Sequence, residues 1–205
     1  MSNPDFPDRL SAYIHPTRFA ALFQVPDEAF AARLLDEKRL RPLIDDAIAG
    51  ALQLAEGESW EADSRAVAEA MSAAARARRL SQIMTIAALK PALRRRACGA
   101  SLRVAADWCG AETFRTLMHG TTPPSPDEPE PDWDDTEEQL DALALHWRGR
   151  IMGALPTELR IRAALGHPAD DEPSILPVFD DCKAAVLRFA ATCLPLCHAD
   201  HNPAS

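Results

Sequence analysis

The chain has 205 residues, 47% hydrophobic, 26% charged and only 6% aromatic. The length gives room for one sizeable core, and an apolar content carried by Ala and Leu favours helix over sheet, which draws on β-branched and aromatic side chains. A net charge of −9 argues against a general nucleic-acid binder, and the longest apolar runs, such as "IMTIAAL", fall far short of a membrane span.

The opening "MSNPDFPDRLSAY" puts acids and prolines where a secretory leader needs a basic run and then an apolar one, so no leader is expected. "HPTRFAALF" reads as a short helix, with Pro16 suited to its first turn. His15, just before it, is weighed as a general base. It has no nucleophile or carboxylate at a recognisable motif spacing, and a local structural role fits better. Tyr13, the single tyrosine of the chain, either anchors the N-terminal segment on the core or meets a partner. "VPDEAFAARLLDEKRLRPLIDDAIAGALQLAEG" follows as helix, with Asp27 as its cap and Pro42 interrupting or restarting it.

A long helix is expected from about Asp63 to Lys90. Leu80, Ile83, Met84 and Ala87 recur at i, i+3, i+4 and i+7 along it, which is one apolar stripe. Pro91 is read as a break. Shorter helical pieces follow, punctuated by Gly99, Gly110 and Gly120. Residues 70–106 carry eight bases and no acid, among them the run Arg94, Arg95, Arg96. Three adjacent arginines suit a docking patch for carboxylates or phosphates. The plainer reading is a solvated face, because consecutive helical residues point in three directions.

Residues 121–133, "TTPPSPDEPEPDW", hold five prolines and four acids and read as an extended or disordered linker. A helix should begin near Asp135 or Thr136, with Leu140, Leu143, Ala144, Trp147 and Ile151 on its apolar face. "PTELRIRAALG" is ambiguous. Leu159, Ile161 and Ala163 alternate with Arg160 and Arg162 as in a strand, while the Ala/Leu content and Pro156 fit a helix. "HPADDEPS" is a loop, and the last helix should run from about Leu176 to Leu194.

Five cysteines stand at 98, 109, 182, 193 and 197. An odd, scattered set is no disulfide framework and points to a reducing cytoplasm. Cys193, Cys197, His198 and His201 in "CLPLCHADH" invite a zinc reading. Against it, Cys182 and Cys193 continue the apolar stripe of the last helix, where free cysteine behaves as a small hydrophobe. Pro195 should stop that helix, and no second ligand pair with zinc spacing lies upstream. No metal and no other cofactor is expected. Phosphate-loop, dinucleotide, zincin and nucleophile-elbow motifs are absent from the sequence, so nothing specific supports an enzyme.

Four segments taken in order resemble a known family. They are "RLSAYIHPTRF" near the N-terminus; "RRLSQIMTIAALKPALRRRACGASLRVAADWCGAETFRTLMHG" in the middle; "LALHWRGRIMGALPTELRIRAALGHP" after the acidic gap; and the closing "PVFDDCKAAVLRFAATCLPLCH". The order is similar to that of the YscK/PscK/OrgA/MxiK family, the small accessory proteins of the type III secretion sorting platform. The resemblance implies a non-enzymatic adaptor without cofactor, located in the cytoplasm and peripheral to the inner-membrane secretion apparatus. Its implied partners are the forkhead-associated-like cytoplasmic domain of the inner-membrane ring protein and the pod protein, with no nucleic acid and no direct membrane insertion. The partner-binding candidates Arg94, Arg95, Arg96, Tyr13 and His15 come from charge and exposure, not from the family. A generic helical binding module or chaperone is the main alternative, and a metal-dependent regulator a third.

The expected fold is all-α, a single helical globule with room for two lobes. Its parts would be residues 1–119, an acidic proline-rich linker at 120–135, and residues 136–205 packing on the first part.

Overall fold

The computed structural model describes residues 6, 9–54, 60–95, 99–120, 136–171 and 175–201, the last four by backbone alone. The linker, Arg96 and Cys98 lie outside the described residues. The fold is all-α: ten α-helices, and no strand among the described residues. No helix among them is long and apolar enough to cross a membrane. The chain forms two compact units, one from residues 1–74 with 155–174, the other from 75–154 with 175–205. Each unit takes residues from both sides of the acidic stretch.

The first unit opens with a 3-10 turn, Leu10–Ala12, then α1 (Pro16–Phe23), α2 (Glu28–Asp36), α3 (Arg41–Leu52) and α4 (Ala62–Met71), and closes with α9 (Thr157–Leu165). Local chemistry sets several of these bounds. Asp27 Oδ1 accepts the Phe30 amide at 2.6 Å, capping α2. Pro42 sits in the first turn of α3, where its missing N–H leaves no gap in the helix ladder. Both α1 and α3 end on a glutamine in the left-handed region, Gln24 and Gln53, each at φ 53°. Leu10, Ile14, Phe19, Ala31, Leu35, Ile44, Ile48, Leu54 and Leu165 make one apolar core.

The ambiguous segment is a helix. α9 buries Leu159, Arg162 and Ala163, an i, i+3, i+4 pattern, and packs on α4. The alternation had placed Arg162 outward with Arg160. Its guanidinium instead lies 5.4 Å from the Trp60 ring centroid, a cation–π contact that offsets part of its desolvation.

The second unit holds α5 (Ala74–Arg95), α6 (Gly99–Cys109), α7 (Ala111–His119), α8 (Glu137–Ala154), α10 (Asp180–Cys193) and a closing 3-10 stretch, Leu194–His201. The expected stripe Leu80, Ile83, Met84, Ala87 is buried. Three boundaries differ from expectation, one of them the start of the last helix, which lies at Asp180 rather than near Leu176. The long helix breaks at Ser72–Ala73, between α4 and α5. Pro91 does not end α5, which runs on to Arg95. Proline removes one donor and crowds the carbonyl four residues back, but Leu89 and Leu93 on either side are fully buried, and their packing outweighs that loss. α10 packs on α8, with Trp147 and Phe189 ring centroids 5.5 Å apart. The α-helix stops at Cys193, two residues before Pro195, and the chain goes on as the closing 3-10 stretch.

Candidate interaction surfaces

The basic segment lies along α5. Several of its bases bind backbone of the α6–α7 pair. Arg79 donates through Nη1 to the Cys109 carbonyl and through Nη2 to Thr113 Oγ1, both at 2.6 Å. The Lys90 ammonium donates to the Gly120 carbonyl. Arg94 Nη2 donates to the Met118 carbonyl at 2.6 Å. The carbonyls at the end of a helix lack intrahelical partners and carry the negative end of its dipole, so cations are favoured there. Burial, followed by the charge of Arg94, lowers the Lys90 pKa from the ordinary lysine range.

The structure thus brings Arg94 and Arg95 together at the exposed end of α5 and gives Arg94 an internal role as well. The candidate docking patch is the outer face of these two, with Arg96 outside the described residues. Arg103, one helix on, donates to the Gly99 carbonyl at 3.2 Å.

Tyr13 and His15 belong to the first unit. The Tyr13 ring stands 5.1 Å from that of the buried Phe6, so the tyrosine anchors the N-terminal segment and keeps part of its surface open. His15 caps α1. Its Nδ1 accepts the Thr17 amide at 3.3 Å and lies 2.8 Å from the Thr17 hydroxyl. An Nδ1 that accepts is unprotonated, so the hydroxyl donates to it. The His15 amide donates to the Leu165 carbonyl at 2.8 Å. This is a structural clasp between the N-terminal segment and the end of α9.

His167, fully buried, gave no signal in the sequence beyond its place in a loop. Its Nε2–H donates to the Met71 carbonyl at 2.6 Å, and its Nδ1 faces Asp171 Oδ2 at 3.8 Å. Gly166 beside it comes so close that a Cβ there would sit 1.6 Å from the Ser72 carbonyl oxygen. These contacts account for the break between α4 and α5: the Met71 carbonyl is engaged by an imidazole, and a turn is wedged against Ser72.

Cys193 is buried and Cys197 half-buried. Burial pushes the Cys193 thiol up to about 12 and the Cys197 thiol up to about 11. The Cys197 thiol points at the Cys193 carbonyl, 3.8 Å away. Both act as neutral packing groups in this setting. Among the described residues no three His, Cys, Asp or Glu side chains converge as a metal site; the side chains of His198 and His201 lie outside the description.

No family model, curated protein or solved structure matches the chain.

Proposed function

We propose that the protein is a non-catalytic adaptor of the type III secretion sorting platform, linking the cytoplasmic forkhead-associated-like domain of the inner-membrane ring protein to the pod protein. The observation that carries this reading is the order along the chain of the four segments resembling the YscK/PscK/OrgA/MxiK family. The all-helical build is compatible with it, and two compact units offer the separate surfaces that a linker between two proteins needs. In this role the protein works in the cytoplasm, peripheral to the membrane apparatus, with no cofactor. Arg94 and Arg95 are the candidate contacts on one unit, Tyr13 and His15 on the other.

The test is direct binding. The purified chain, titrated by calorimetry with the ring protein's cytoplasmic domain and separately with the pod protein from the same secretion operon, should bind both. Binding to neither would overturn the assignment. Loss of secretion on deleting the gene, restored by the wild-type gene, is the matching result in cells.

A further inference from the structure

Among the described residues, five large hydrophobic side chains are exposed, and three of them, Leu145, Ile175 and Phe179, belong to the second unit. Their exposures are 55%, 52% and 83%. A single exposed apolar residue is ordinary. Here two of the three, Ile175 and Phe179, share one short segment, and Leu145 stands on the helix that this segment contacts.

Residues 175–179 precede α10 without helical structure, Phe179 is extended, and exposure alternates along them as it does in an extended segment. Ile175, Pro177 and Phe179 are exposed, while Leu176 and Val178 are half-buried. The segment lies along α8: the Leu176 amide donates to the Gly149 carbonyl at 3.1 Å. The Leu176 carbonyl oxygen sits 1.9 Å from where a Cβ on Gly153 would be, so only glycine permits this approach. At its far end the Phe179 carbonyl accepts the Cys182 and Lys183 amides, at 2.9 and 3.2 Å. The backbone of the segment is therefore held against α8 at Leu176 and runs straight into α10 at Phe179. Leu145 stands four residues before Gly149 on the same stripe of α8.

Acids bracket this ridge. Glu138 and Asp141 precede Leu145 on its face of α8, and Asp180 and Asp181 directly follow Phe179; all four are exposed. Lys183 pairs with Asp180 at 2.7 Å, while Asp141 takes the neutral Trp108 indole N–H at 2.9 Å. The rim stays net negative. A two-fold dimer through this ridge would set the same acids against each other, and an interface of like charges is unfavourable.

From this we infer that the Leu145–Ile175–Phe179 ridge is a docking surface for a basic amphipathic helix of another protein, whose apolar face covers the ridge and whose lysines and arginines meet the acids. Apolar anchors supply the affinity, and the rim charges set approach rate and salt dependence. The inference rests on the ridge alone and stands apart from the secretion-system reading.

An 18-residue amphipathic Leu/Lys helical peptide serves as the probe, with a scrambled peptide of the same composition as control. Binding is read by fluorescence anisotropy on the full chain. The amphipathic peptide should bind and the scrambled one should not. Ile175→Ser with Phe179→Ser should weaken binding by about tenfold or more, as loss of central apolar anchors does. Asp180→Asn with Asp181→Asn should weaken it less and flatten its salt dependence. These positions are exposed, so melting temperatures should stay near wild type; Leu145→Ser gives an independent variant on a different element. No binding by wild type, or equal binding by wild type and the serine variants, overturns the inference. Concentration-dependent self-association that Phe179→Ser abolishes would also overturn it, in favour of a second copy.

Discussion

The imidazole of His167 donates its Nε2 hydrogen to the carbonyl of Met71, 96 residues earlier in the chain, at 2.6 Å. The bond fastens the turn after α9 to the last residue of α4. Arg18 adds a second tie, donating from Nε to the His167 carbonyl at 2.8 Å, and the Ala169 amide donates to Thr17 Oγ1 at 3.0 Å.

His167→Ala removes the donor and leaves both a void and a buried carbonyl without its partner. The loss should be about 2–4 kcal/mol, read as a lower urea midpoint. His167→Gln, which can still donate, should lose less. Equal midpoints for wild type and the alanine variant would show that the bond contributes nothing.

Gly166→Ala and Gly153→Ala should both destabilise, because each added Cβ collides with a backbone carbonyl, of Ser72 and Leu176 respectively. Backbone cannot swing aside as the tip of a side chain can, so losses on the order of 2 kcal/mol or more are expected. Gly50→Ala is the control, since nothing lies within 4 Å of its added Cβ. It should be neutral or slightly stabilising in thermal melts.

Arg94→Glu puts an anion against the carbonyl end of α7 in place of a cation. It should lower stability by up to about 1 kcal/mol, with Arg94→Lys in between. Any test of a docking patch by reversing Arg94, Arg95 and Arg96 together therefore carries a folding cost. Arg95→Glu, read by calorimetry for partner affinity, needs the urea midpoint of the same variant beside it, because Arg95 also makes contacts within the protein.

The buried thiols give a pH dependence with a definite sign. Burial pushes Cys109 and Cys197 up to about 11 and Cys193 up to about 12. In the unfolded chain thiols lose their protons from about pH 8.5. Above that pH the unfolded chain binds fewer protons than the folded one, so stability falls as pH rises from about 9 towards 11 or 12. Urea midpoints at pH 7 and pH 10.5 should differ, and Cys193→Ala should reduce the difference. At pH 8 iodoacetamide should modify Cys109 and Cys193 in native protein far more slowly than in urea; equal rates would contradict their burial.

Helix content and most helix faces were legible because they depend on local periodicity. Leu80, Ile83, Met84 and Ala87 were read as one stripe and are buried. The Asp27 cap and the helix stop before Pro195 follow from single-residue chemistry. What stayed hidden was set by residues distant in the chain. The α4–α5 break depends on His167 and Gly166, more than 90 positions on. The passage of α5 through Pro91 depends on packing around Leu89 and Leu93. The helical state of α9 required seeing that Arg162 could be buried against Trp60. The Phe179 ridge was illegible because periodicity assigns that segment to the last helix. Leu176 is held instead by α8 at Gly149 and Gly153, and the helix begins only at Asp180.

The two units are interlaced along the chain, and this governs how the protein can be made. The first unit has its opening residues by position 74, but α9, against which α4 packs, ends at Leu165. During synthesis the apolar face of α4 must wait for about a hundred further residues, roughly 5–20 s at ordinary rates of chain elongation. The waiting surfaces include Val67 and Ala68, both fully covered in the finished protein. A gene truncated at the acidic stretch would encode neither unit whole. Fragments expressed from either side of it should be insoluble or degraded alone, and should recover only when both are produced in the same cell.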